Sequence, residues 1–128
     1  MKNVAKVFFV AVLFLGTVLT TFGQSGPRVY MMVTASVEPG HMAEYQSIIE
    51  KEILPTFKKN GVELIGAFRS GIGGNSNEAI LITAYRDLAH VQKAMSDPVI
   101  VGLQAGKFES MRVLHTRILA PTSFSPLQ

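Results

Sequence analysis

The chain is expected to fold as an α+β domain of the ferredoxin-like kind, β-α-β-β-α-β, with a four-stranded antiparallel sheet and both helices on one face. Two observations predict this. Four stretches rich in β-branched and aromatic residues are separated, in order, by a helical stripe, a glycine-rich turn and a second helical stretch. The strands also carry apolar side chains on both faces, although helices packed on one side can cover only one of them.

Residues 28–37 form the first strand, and Glu38-Pro-Gly40 turns the chain. A helix follows over 41–60, because Met42, Tyr45, Ile48, Ile49, Ile53 and Phe57 recur at helical spacing. Pro55 removes a backbone donor inside it and is expected to kink it or restart it. Lys58, Lys59, Asn60 and Gly61 terminate it, with cations at the negative end of the dipole and Gly where φ is positive. Residues 62–70 and 79–86 are strands joined by Gly71-Ile-Gly-Gly-Asn-Ser-Asn77. That loop leads into a strand, which offers an anion no helix N-terminus, so it reads as a hairpin and not a phosphate loop. Asp87 starts the second helix. Asp97-Pro98 restarts it as an N-cap followed by Pro, to about residue 107. Residues 111–119 are the fourth strand. Pro121 and Pro126 keep the tail out of the sheet ladder, so it should lie as an extended arm with Phe124 and Leu127 as anchors.

Val29, Met31, Val33 and Ala35 alternate with Tyr30 and Met32, and Leu81 and Tyr85 alternate with Ile80, Ile82 and Ala84. Four strands at ~4.8 Å spacing leave a sheet face of roughly 500 Å². A monomer rarely exposes an apolar patch that large. The economical cover is a second copy packed sheet to sheet as an isologous homodimer, and Val33→Glu is expected to disrupt that face.

The start of the chain reads as an export address. Lys2 and Lys6 precede an apolar run, Val7 to Leu19, of 13 residues, and Thr21-Phe-Gly23 follows with small residues. The run is short of the roughly 20 residues a spanning helix needs, so residues 1–23 are expected to be a bacterial-type signal peptide and residues 24–128 the folded domain. Stable membrane insertion after cleavage is not expected, and the destination is the periplasm or the medium. Removing Lys2 and Lys6 from the 12 basic side chains leaves 10 against 9 acidic ones, which gives no case for nucleic acid. The absence of Cys removes disulfides and thiol chemistry.

Four segments carry a resemblance to a known family. They are Val37-Glu-Pro-Gly40 with Tyr45; Ile53-Leu-Pro55 with Lys58-Lys-Asn-Gly61; Gly73, Asn77-Glu78 and Ala84-Tyr85 around the hairpin; and Ile118-Leu-Ala-Pro-Thr-Ser-Phe-Ser-Pro-Leu127. Together they resemble the NIPSNAP family, over residues 28–127. That resemblance implies a dimeric α/β barrel with a cavity and says little about activity, since relatives on this fold include cofactor-free monooxygenases, isomerases and binding modules. Where family members alternate Glu, Arg and Tyr on one face of the first strand, this chain has Met31, Val33 and Ala35. Where they carry His and Trp before Ala-Tyr, it has Leu81 and Thr83. A wall that is polar in relatives is therefore apolar here, which points to an apolar ligand or to none.

His41, His90 and His115 have no metal spacing and no carboxylate cluster beside them, so neither a metal nor a cofactor is expected. His41 and His90 read as solvated helix residues. His115 shares strand parity with Val113 and Arg117 and could face a cavity with Tyr85 and Phe68, as a general acid or base, or simply sit at an interface or on the sheet surface. Tyr85 could orient a ligand through its hydroxyl, or simply pack in the core. Arg69 and Arg117 could bind a carboxylate, or pair with surface acids. Asn77-Glu78 sets turn geometry. No nucleophile triad, phosphate loop or cofactor fingerprint is visible. The expected ligand-binding set is Phe68, Tyr85, His115 and Arg117. The expected function is binding of a small apolar molecule in the cavity between the layers. The alternative is a cofactor-independent monooxygenase or isomerase with Tyr85 and His115 as catalytic candidates.

Overall fold

The computed structural model describes residues 28–127, so the expected export segment and cleavage site lie outside the described residues. The element order is β1 (Val29–Val37), α1 (Met42–Ile48), a π-helical turn (Ile49–Ile53), α2 (Leu54–Lys59), β2 (Glu63–Arg69), β3 (Glu78–Tyr85), α3 (Leu88–Met95), α4 (Pro98–Gln104) and β4 (Met111–Leu119). The sheet is antiparallel in the order β2-β3-β1-β4, with β2 and β4 at its edges. This is the expected ferredoxin-like arrangement. Among the described residues no helix is long and apolar enough to cross a membrane.

The long helix is broken where Pro55 requires it. Pro55 cannot donate to the preceding turn, and the helix widens to π geometry over Ile49–Ile53 before resuming at Leu54. Asn60 ends α2, and Gly61 follows at φ +68°, where a side chain would be strained. Asp87 caps α3 by accepting from the His90 N–H at 2.7 Å, and Asp97 caps α4 by accepting from the Val99 N–H at 3.0 Å. The α4 helix stops at Gln104, three residues earlier than expected.

The helices cover the odd-numbered face of β1 and β3. Met31, Ala35, Val37, Ala79, Leu81 and Tyr85 join Tyr45, Ile49, Ile53, Phe57, Val91 and Ile100 in one buried core. Val33 belongs to this face, beside Leu81, Thr83 and Val113. It is therefore not an outer-face residue, and Val33→Glu would damage the core rather than test an assembly. The outer face carries Tyr30, Met32, Thr34, Ile80, Ile82 and Ala84 at the centre of the sheet.

Each edge strand contains one extra residue, and each irregularity swaps the parity of the strand. In β4, Val113 pairs with Ala35 but His115 pairs with Thr34, which leaves Leu114 as the insertion. Val113 therefore faces the helices, while His115 and Arg117 face outward. In β2, Leu64 pairs with Thr83 and Gly66 with Ile82, with Ile65 inserted. Leu64, Ala67 and Arg69 accordingly sit on the helix-facing side. On the outer side the Phe68 ring lies over Gly66, so closely that a Cβ there would meet the ring at 2.6 Å.

A polar clamp closes the helix layer. The Asn60 side chain donates to the Thr56 carbonyl at 2.9 Å and to the Asp97 carboxylate at 3.0 Å. His90 accepts the Arg86 N–H on Nδ1 at 3.1 Å, and its Nε2 lies 2.6 Å from the Asn60 carbonyl. Its ring also meets Tyr85 edge-on at 5.5 Å. His90 is thus a buried strut between the two helical segments, not the solvated residue the helical pattern implied. Both ring nitrogens find backbone partners, which makes its burial tolerable.

After β4 the arm turns back across the outer face. Pro121 and Leu127 line a hollow of ≈330 Å³ with Tyr30, Ile82 and Leu119. Phe124 is not an anchor. It is 87% exposed.

Candidate functional site

The space between helices and sheet contains two openings with one wall in common. On the β4 side, Met31, Val33, Phe57, Thr83, Tyr85 and Leu103 bound a narrow apolar cavity of ≈40 Å³. Ligand sites usually need about 300–1,000 Å³, so this cavity holds no ligand unless flexible side chains such as Met95 and Leu103 move. On the β2 side, an open groove of ≈540 Å³ runs between α1 with its π turn and β2. Leu81 lines both spaces.

Local structure explains the groove. Met42, Tyr45, Gln46 and Ile49 recur at helical spacing along one face of α1, and the π turn adds Glu50 next to that row. The opposite wall is Leu64, Ala67 and Arg69, presented together because the irregularity in β2 resets its parity. The floor is Leu81. The result is an apolar trough with a few polar groups at its rim, the usual composition of a small-molecule site.

The polar groups of the two spaces differ. In the narrow cavity the Thr83 hydroxyl donates to Tyr85 Oη at 3.3 Å, and the Tyr85 hydroxyl points toward Met31 Sδ at 4.0 Å. Burial pushes the Tyr85 phenol above its ordinary value, and the Thr83 hydrogen bond opposes that shift. In the groove, burial likewise raises Tyr45, but no hydrogen bond opposes it. Arg69 and Glu50 make no ion pair among the described residues. Among these residues there is also no group of three or more His, Asp or Glu side chains arranged to hold a metal.

The expected ligand-binding residues are distributed over both faces of the sheet. Tyr85 lies in the interlayer core. His115 and Arg117 lie on the outer face, paired with Thr34 and Met32. Phe68 pairs with Ile80 on the outer face and, at the sheet edge, also borders the groove. One cross-strand row of the outer face therefore reads Phe68, Ile80, Thr34, His115. Within one copy the structure does not bring His115 and Arg117 to Tyr85, because Leu114 shifts the parity of β4. Sequence reasoning passed over the groove residues Tyr45, Gln46 and Glu50, since a helical stripe signals burial without saying what it is buried against. Arg69 was singled out for carboxylate binding, and it is on the groove wall.

The NIPSNAP family profile matches residues 28–126. No curated protein matches the chain. Among solved structures, the chain is similar to a NIPSNAP family protein of unknown function from Agrobacterium tumefaciens, at 27% identity and TM-score 0.63, covering 80% of this chain and 95% of that one. It is also similar to an uncharacterised NIPSNAP-like domain protein from Burkholderia xenovorans, at 21% identity and TM-score 0.60, over 77% of this chain and 89% of that one. A Bacteroides thetaiotaomicron protein named as a candidate antibiotic biosynthesis monooxygenase shares the fold, at 17% identity and TM-score 0.57, over 78% and 92% of the two chains. With its family profile spanning nearly the whole described domain, the chain belongs to the NIPSNAP family.

Proposed function

We propose that the protein binds a small apolar molecule between its helices and its sheet, and that it works as an exported homodimer. The observation that carries this reading is the ≈540 Å³ groove, whose walls are mainly Met42, Ile49, Leu54, Leu64 and Leu81. Its size falls inside the range of ligand pockets, and apolar walls favour an apolar guest at about 25 cal/mol per Å² of surface removed from water. The dimer rests on the outer face, where Met32, Ile80 and Ile82 are only partly buried and Phe68 stays 55% exposed. Export rests on the basic start and apolar run of the first 23 residues.

The reading is tested by titrating the protein with the neutral dye N-phenyl-1-naphthylamine. Saturable binding that is weakened when Leu64→Glu places a charge in the groove supports it. A folded protein that leaves the dye's emission unchanged at every concentration contradicts it.

A second reading is a cofactor-independent monooxygenase or isomerase. Its support is the fold shared with the Bacteroides protein. Against it stands the separation of Tyr85 from His115 by the thickness of the sheet, so that one copy does not assemble the acid–base pair. Loss of turnover with retained binding in His115→Ala would favour this second reading.

A further inference from the structure

We infer that the groove between α1 and β2 takes a carboxylic acid with a hydrophobic body, its head held at the rim by Arg69 and Tyr45. The inference rests on the binding role proposed above and adds the chemical class of the ligand. Three observations carry it. Arg69 lies on the groove wall because the inserted Ile65 returns Ala67 and Arg69 to the helix-facing side, and its guanidinium makes no ion pair among the described residues. Tyr45 is 7% exposed and lines the same groove, and no hydrogen bond to its hydroxyl offsets the effect of burial. The remaining walls are apolar apart from Gln46 and Glu50.

A buried phenol and a guanidinium with no ion pair among the described residues, at the edge of an apolar trough, supply donors and one positive charge. A carboxylate uses both, since it accepts two parallel N–H bonds from Arg and can accept a third from Tyr. The head should carry a single charge. Glu50 faces the same space, so a dianionic phosphate would meet one cation and one anion, with no Lys lining the groove to add to the positive side. The hydrophobic body lies along Ile49, Leu64 and Leu81.

The experiment uses dodecanoic acid and its methyl ester at pH 7, each competing against N-phenyl-1-naphthylamine on the full-length protein. The two compounds share a chain and differ in head-group charge. The acid is expected to bind about tenfold more tightly than the ester, the scale of one charge-assisted contact. In Arg69→Gln that advantage should fall to about unity, and in Tyr45→Phe it should shrink by a smaller factor. Glu50→Gln should widen it. Far-UV circular dichroism on each variant establishes that the fold is retained. Equal affinity of acid and ester for the native protein, or an unchanged ratio in Arg69→Gln, overturns the head-group assignment while dye binding leaves the groove itself standing. Absence of dye binding as well overturns both.

Discussion

The two faces of one sheet are made of similar residues and end in different circumstances. Toward the helices, Met31, Leu81 and Tyr85 are at most 7% exposed, and Ile53 packs onto them with none of its surface reaching solvent. On the outer side, Met32, Ile80 and Ile82 are only partly covered, and Phe68 is 55% exposed. Alternation in β1 and β3 supplies both faces with apolar groups, but only one of them has helices. Hydrophobic pattern assigns residues to a face, and what lies on that face is decided elsewhere.

The sharpest way to break the comparison is to cut into the covered face. Ile53→Ala leaves a cavity among fully buried neighbours and should cost about 3–4 kcal/mol, read as a lower urea midpoint at unchanged slope. Ile82→Glu addresses the other face. If a second copy covers it, light scattering should show the variant as a monomer that keeps native secondary structure. A native protein that is already monomeric at high concentration would contradict the proposed assembly. His90→Ala removes the strut between the helical segments and leaves the Arg86 N–H and the Asn60 carbonyl without their partner, an expected loss of about 1–3 kcal/mol.

The smallest effect concerns acid stability. The Asn60 amide and then the Val99 N–H hold Asp97 below its ordinary carboxylate value, with a lesser contribution from Lys59. A depressed carboxylate stabilises the fold above the unfolded value of about 3.8, and the stabilisation is lost as pH falls through the lower folded value. Asp97→Asn should therefore flatten the pH dependence of the unfolding midpoint below about pH 4, relative to the native chain. An unchanged slope would show that the carboxylate contributes nothing through its charge.

Much of the fold was legible because its signals are local. Asp87 and Asp97 announce helix starts through side-chain acceptors, Gly61 announces a helix end, and Pro55 a break in the helix. The site was less legible, and the reason is specific. One inserted residue in β4 turns His115 and Arg117 away from Tyr85, and one in β2 turns Arg69 toward the groove. An insertion changes parity without changing composition, so a period-of-two reading carries straight through it. His90 was misread for a related reason. Its neighbours in sequence are polar, while its partners, Asn60 and Arg86, come from another segment and from the backbone.

The most direct test of the central claim, that the interlayer groove holds a small apolar molecule, is native mass spectrometry of the protein isolated from its own host. The account predicts a dimer carrying a defined extra mass, released on denaturation as an apolar compound and restored by incubation with dodecanoic acid. A protein that remains bare in every oligomeric state, and stays bare with that acid in excess, would contradict it.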